Sequence, residues 1–160
     1  MVTLVPMEQS ELDSYLEHVI PDYAKDHVDA GNWDAEGALE RSQKEFDELL
    51  PQGVESPNQH LYSICNGEAA TNIGIIWFAV RDEPTGKVAF VYDFELKPEF
   101  RGKGYGAAAL RAIEPKVQEL GLQKISLHVF GKNKVAWHLY EKVGYEVTNV
   151  LMSKELTEPL

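Results

Sequence analysis

The stretch Lys97-Pro98-Glu99-Phe100-Arg101-Gly102-Lys103-Gly104-Tyr105-Gly106 constrains this chain more than any other. A strand-like run, Lys87 to Leu96, leads into it, and a helix-like run, Ala107 to Leu120, follows it. Glycines at 102, 104 and 106 leave neighbouring backbone amides without side-chain cover. At a helix start such amides lack intrahelical partners and point with the positive end of the helix dipole, so together they attract an anion. Arg101 and Lys103 add two full positive charges. The stretch reads as a pyrophosphate cradle between a strand and a helix. Its spacing is not that of a Walker loop, and it departs from the Gly-x-Gly-x-x-Gly of dinucleotide folds. A nucleotide-binding domain is therefore not the expectation.

Charge is distributed in keeping with such a cradle. The net charge is -11, yet residues 97–142 carry 9 Lys and Arg against 4 Asp and Glu. Residues 1–60 carry the reverse, 14 Asp and Glu against 3 Lys and Arg. The basic block suits an anionic cofactor, and the acidic block suits a cationic partner or a solvated surface. The overall balance argues against nucleic acid. The 160 residues suffice for one domain, and the composition is that of a soluble globular protein. No apolar run approaches a membrane span, and residues 1–10 lack the features of a signal peptide. The lone cysteine, Cys65, fits a reducing cytoplasm and reads as a packed residue. His18, His27 and His60 lack metal-ligand spacing, so no metal is expected.

The chain opens with a short edge strand, Thr3 to Met7. A helical segment over residues 8–50 follows, with Pro21 expected to interrupt it, Gly31 to close its second part and Asp34 to cap the next helix. Leu61 to Cys65, Ile73 to Val80 and Lys87 to Leu96 read as strands, with Asn66-Gly67 as a hairpin turn. Their close spacing predicts an antiparallel meander. Beyond the cradle, the helix from Tyr105 to Leu120 should kink or end its first part at Pro115. A strand from Lys124 to Phe130 comes back parallel to Lys87–Leu96. A helix from Asn133 to Val143 and strands at Tyr145–Thr148 and Val150–Ser153 complete a mixed α/β sheet with helices on both faces.

A second motif follows: Leu127-His128-Val129, then Asn133, 27 residues past Gly106, with Ala136, Leu139 and Tyr140, then Gly144-Tyr145. With Arg101-x-x-Gly104-x-Gly106, it resembles the two signatures of the GNAT acetyltransferases, in the family's order, with Tyr145 where phenylalanine is usual. The resemblance is close from Lys87 to Tyr145 and holds for the first 86 residues only in element order. It implies one GNAT domain over residues 1–160. Residues 1–60 would form the helical acceptor side and 87–145 the acetyl-CoA-binding core. The sheet would be mostly antiparallel, with a splayed parallel strand pair.

The resemblance also implies roles. Backbone groups near Leu96 would pair with the pantetheine arm, and the amides of Arg101, Gly102, Lys103, Gly104, Tyr105 and Gly106 would hold the pyrophosphate. Asn133 would bond the pantetheine or hold its loop, and Tyr140 would protonate the leaving thiolate. An amine attacks a thioester only when neutral, so a base or a water relay must take its proton, and a backbone N–H can stabilise the oxyanion. Two bases are candidates. His128 stands where one branch of the family carries a glutamate, and histidine ordinarily titrates near pH ~6.5. Glu95, with Asp93 alternating onto its face, stands at the end of the strand before the cradle. The expected activity is N-acetylation of a primary amine, either a small molecule, with the acidic block suiting a cation, or a protein N-terminus. The alternative is a CoA-binding regulatory module without turnover. Apolar residues such as Val150, Leu151 and Met152 could pair two copies into a homodimer.

Overall fold

The structure is a computed structural model and describes residues 1–67 and 70–157. Its packing forms two compact units, Met1–His128 and Val129–Leu160. In the first unit the order is β1 (Val2–Pro6), α1 (Gln9–Asp29), α2 (Ala38–Leu49), β2 (Gln59–Asn66), β3 (Thr71–Glu83), β4 (Gly86–Leu96), α3 (Tyr105–Glu119) and β5 (Ile125–Leu127). The strands form one sheet in the order β1-β2-β3-β4-β5. Its first three pairings are antiparallel, and β4–β5 is parallel. The second unit contains α4 (Lys134–Val143).

Helices cover both faces of the sheet. Leu12 and Tyr15 of α1 and Phe46 of α2 are buried with Leu61 of β2 and Trp77 of β3. Tyr62, which alternates with Leu61 onto the other face, lies under Lys116 of α3, whose ammonium is 5.0 Å from the ring centre. On α3 itself Leu110, Ile113 and Val117 are buried at helical spacing.

Several expected boundaries move, each for a physical reason. Pro21 lies inside one continuous α1. Its missing N–H removes one helix bond, but buried Tyr15, Val19, Ile20 and Ala24 on both sides of it hold the helix to the core. Ser42 Oγ of α2 also donates to the Ile20 carbonyl at 2.7 Å. Pro115 is carried within α3 in the same way, between buried Ile113 and Val117. Asp34 does not cap α2, which starts after Gly37. The segment before it is held back onto α1, because the amides of Asn32 and Trp33 both donate to the His27 carbonyl and Trp33 stacks on the His27 ring. The expected strands at 145–148 and 150–153 are absent, and among the described residues no ladder involves them. β-branched residues favour a strand only where a partner strand is available. The turn expected at Asn66-Gly67 runs into residues 68 and 69, which lie outside the described residues.

Two irregularities shape β4. Trp77 pairs with Asp93 while Phe78 pairs with Val91, so Tyr92 is an extra residue in a bulge. The parallel ladder to β5 ends at Val91–Leu127, whereas β4 runs on to Leu96. The expected parallel pair is thus present but short.

Candidate active site

Two features of the first unit meet the chemistry expected of the sequence. The first is the loop into α3. Gly102 (φ 73°) and Gly104 (φ 88°) take left-handed backbone conformations, and Gly104 stands directly before α3 without a side chain to cap it. A Cβ built on either glycine would meet nothing within 4 Å, so the space beside the amides is open. Arg101 turns back, and its Nε donates to the Leu96 carbonyl at 2.9 Å. That bond keeps the guanidinium beside the loop and engages one of the strand-end groups expected to meet pantetheine. Tyr105 Oη accepts from Asn66 Nδ2 at 3.3 Å, tying the first turn of α3 to β2. Open amides, a helix start and the held Arg101 guanidinium fit a pyrophosphate.

The second feature is a cleft of about 430 Å³ between α1, α2 and the outer half of β4. Six carboxylates line it: Asp22 and Asp26 from α1, Glu45 and Glu48 from α2, and Asp93 and Glu95 from β4. Lysine and arginine contribute none of its lining. Its apolar wall is largely aromatic, formed by Tyr15, Tyr23, Phe46, Trp77 and Tyr92. The bulge explains how neighbours Tyr92 and Asp93 reach the same cleft, because the extra residue breaks the alternation of the strand.

At the β4 end, the buried Tyr15 hydroxyl donates to Asp93 Oδ2. Burial pushes the Asp93 carboxyl upward, and the charge of Glu95 pushes the same way. Tyr15 is raised well above the usual phenol range by burial and by Asp93. His18 Nε2 stands 3.3 Å from Glu95 Oε1 at the rim. Glu95 is held there by a close strand approach, since a Cβ on Gly74 would lie 2.2 Å from the Glu95 carbonyl oxygen. At the other end, Asp26 is raised by burial and by the charges of Asp22 and Asp29. Tyr23 is raised by burial and by its hydrogen-bonded neighbour Glu45.

The remaining sequence candidates lie elsewhere. His128 is exposed just past β5 and is not part of the cleft lining. Its charge helps burial and Arg41 lower the pKa of His27. In the second unit Asn133 caps α4, its Oδ1 accepting from the Ala136 amide at 3.2 Å, so it holds its own loop. Tyr140 lies on α4 with its ring edge-on to Tyr145 at 5.9 Å. Cys65 is half-buried opposite Thr3 in the ladder, with its thiol raised by burial and by Glu11. Among the described residues no group of three metal-capable side chains comes together, and no helix is long and apolar enough to cross a membrane.

An amide cradle between strand and helix, beside a mixed sheet with one parallel pair, suits a ligand that carries phosphate. The sequence model described as "Acetyltransferase (GNAT) family" matches residues 16–145, and the chain belongs to that family. It is 41% identical over 155 residues to the "Uncharacterized N-acetyltransferase YycN" of Bacillus subtilis, covering 97% of this chain and 99% of that protein. YdgE of the same organism, also called an uncharacterized N-acetyltransferase, is 33% identical over 154 residues, covering 96% and 98%. The crystal structure of YycN superposes with a TM-score of 0.89 at 40% identity, covering 99% of this chain and 100% of that one. AAC(6')-Iy, solved with a CoA-containing bisubstrate analogue, shares the fold alone, with a TM-score of 0.66 at 12% identity over 98% of this chain and 99% of that one. Membership of that family makes the protein an acyltransferase of the N-acetyltransferase type with acetyl-CoA as its acyl donor.

The sequence names the Arg101–Gly106 loop and Glu95 as candidates but does not gather the cleft. The signal was present on α1, where Tyr15, Val19, Asp22, Tyr23 and Asp26 fall at one helical spacing. The contributions of Trp77 and Tyr92 depend on the bulge, which no local pattern announces.

Proposed function

We propose that the protein acetylates a small primary amine that enters the acidic cleft as a cation. The observation that carries this reading is a cleft with six carboxylates, and no lysine or arginine, at the end of β4 before the cradle. Acetyl-CoA supplies an activated acetyl thioester. The amides from Arg101 to Gly106, with the Arg101 and Lys103 charges, are assigned to its pyrophosphate, and the strand end at Leu96 to its pantetheine arm. Asp93 and Glu95 draw the ammonium to β4. Glu95 takes the proton that must leave before the nitrogen can attack, while Asp93 is fixed by Tyr15 and orients the amine. His128 is the second candidate base. Tyr140 Oη is the proposed proton donor to the departing thiolate, and Asn133 keeps the loop before α4 in place. CoA thiol release on adding cationic small amines tests this reading. Release that requires the amine supports it, and acetylation confined to protein N-termini overturns the small-molecule assignment.

A further inference from the structure

We infer that the acceptor is a linear aliphatic polyamine, held by one ammonium group at the far end of the cleft while another reacts beside β4. This inference rests on the proposed transfer to an amine in that cleft.

The cleft has length and two charged ends. Tyr15 marks the β4 end through its bond to Asp93. From there the α1 residues lining the cleft run to Asp26. At about 1.5 Å of rise per residue, Asp22 lies roughly 10 Å and Asp26 roughly 16 Å along the helix from Tyr15. Glu45 of α2 stands beside Tyr23, on the same stretch of α1 as Asp22 and Asp26 and a different stretch from Tyr15, which holds Asp93. A single ammonium cannot satisfy both groups.

Between the ends the wall is apolar and continuous. Tyr23 meets Phe46 at 5.5 Å between ring centres, Phe46 meets Trp77 at 5.8 Å, and Trp77 meets Tyr92 at 5.0 Å. Val19 and Leu49 extend it. Methylene groups pack favourably on such a surface, and ammonium groups at its edges gain from the ring faces as well as from the carboxylates. A peptide would bring amide groups onto the same wall, where desolvation without partners is costly. An aliphatic stem brings none.

The far carboxylates are incompletely neutralised by the protein. Arg41 and Lys44 stand 3.9 Å from Glu45 and Glu48 at the exposed edge, and Lys25 is 2.5 Å from Asp29. Asp22 and Asp26 stand one helical turn apart, and burial first, then the Asp22 charge, raises the Asp26 carboxyl. A cation lodged between them relieves their repulsion.

The test compares initial rates of CoA thiol release for straight-chain monoamines, α,ω-diamines of four to ten carbons, a linear triamine and a short peptide. The inference expects kcat/KM for long diamines or the triamine to exceed that of the matched monoamine by about tenfold or more, with added salt reducing the gap. In the Asp22→Asn/Asp26→Asn double variant, and separately in Glu45→Gln, that ratio should fall through KM with kcat retained. Equal rates for monoamines and diamines, a preference for the peptide, or an unchanged ratio in the variants overturns the inference while leaving amine acetylation intact. Calorimetric titration of the triamine into the protein separates the two ideas. Binding weakened by the double variant, without turnover of any amine, supports the polyamine site and removes the transfer reading. Neither binding nor turnover overturns both.

Discussion

Tyr15 of α1 and Asp93 of β4 lie 78 positions apart in sequence, and one hydrogen bond joins them at the end of the cleft. The bond clamps α1 to the strand that precedes the Arg101–Gly106 loop. It also fixes an acidic group in a buried place, where ionisation is disfavoured.

That burial has a pH signature. An aspartate in the unfolded chain titrates near pH ~3.9, and Asp93 titrates higher in the fold. Between those two values the native state holds more protons than the unfolded state, so the Asp93 contribution to stability is full at low pH and is lost as pH rises through the folded value. Asp93→Asn keeps the shape and removes the charge. The variant should gain melting temperature over the parent at pH 7 and gain less, or nothing, near pH 4. A gap that is constant across this range, or larger in acid, contradicts the account.

Glu95 is the proposed proton acceptor. Glu95→Gln should lower kcat by about a hundredfold or more and remove the acidic limb of the pH–rate profile. His128→Ala, a change outside the cleft lining, should cost less than about tenfold. The opposite ranking of the two variants transfers the role to His128.

Gly74 sets the position of Glu95. A methyl group there would sit 2.2 Å from the Glu95 carbonyl oxygen, so β3 and β4 must separate to admit it. Gly74→Ala should destabilise the fold by about 1–3 kcal/mol in a denaturant titration and lower kcat together with stability. An alanine variant with parental stability would mean that the strands tolerate separation at this point.

Much of this arrangement is legible without coordinates, because it is local. The Arg101–Gly106 loop announces itself by glycine spacing and flanking periodicity, and α4 by Asn133 before it and Gly144 after it. The meander follows from turn spacing. What was hidden is non-local. Pro21 and Pro115 stay inside helices because buried neighbours outweigh a lost bond. The cleft needs the Tyr92 bulge to bring Tyr92 and Asp93 to one side, and the reason for Gly74 is an oxygen on another strand. The acidic first 60 residues are visible as charge, but only folding gathers Asp22, Asp26, Glu45 and Glu48 into a single wall.

Tyr140 is the proposed acid. Tyr140→Phe removes one hydroxyl and keeps the ring that meets Tyr145. Its kcat should fall by about a hundredfold, while the thermal shift produced by acetyl-CoA matches the parent. A parental rate would remove Tyr140 from the chemistry, and a lost thermal shift would make it a binding residue.

The most direct test of the central claim is CoA thiol release from acetyl-CoA against a panel of cationic amines and a blank without acceptor, with the acetylated product identified by mass. The account predicts release above the blank with at least one small cationic amine, with the acetyl group on its nitrogen. Release no greater than the blank for every amine, from a protein that acetyl-CoA stabilises, would contradict it and leave a CoA-binding module in its place.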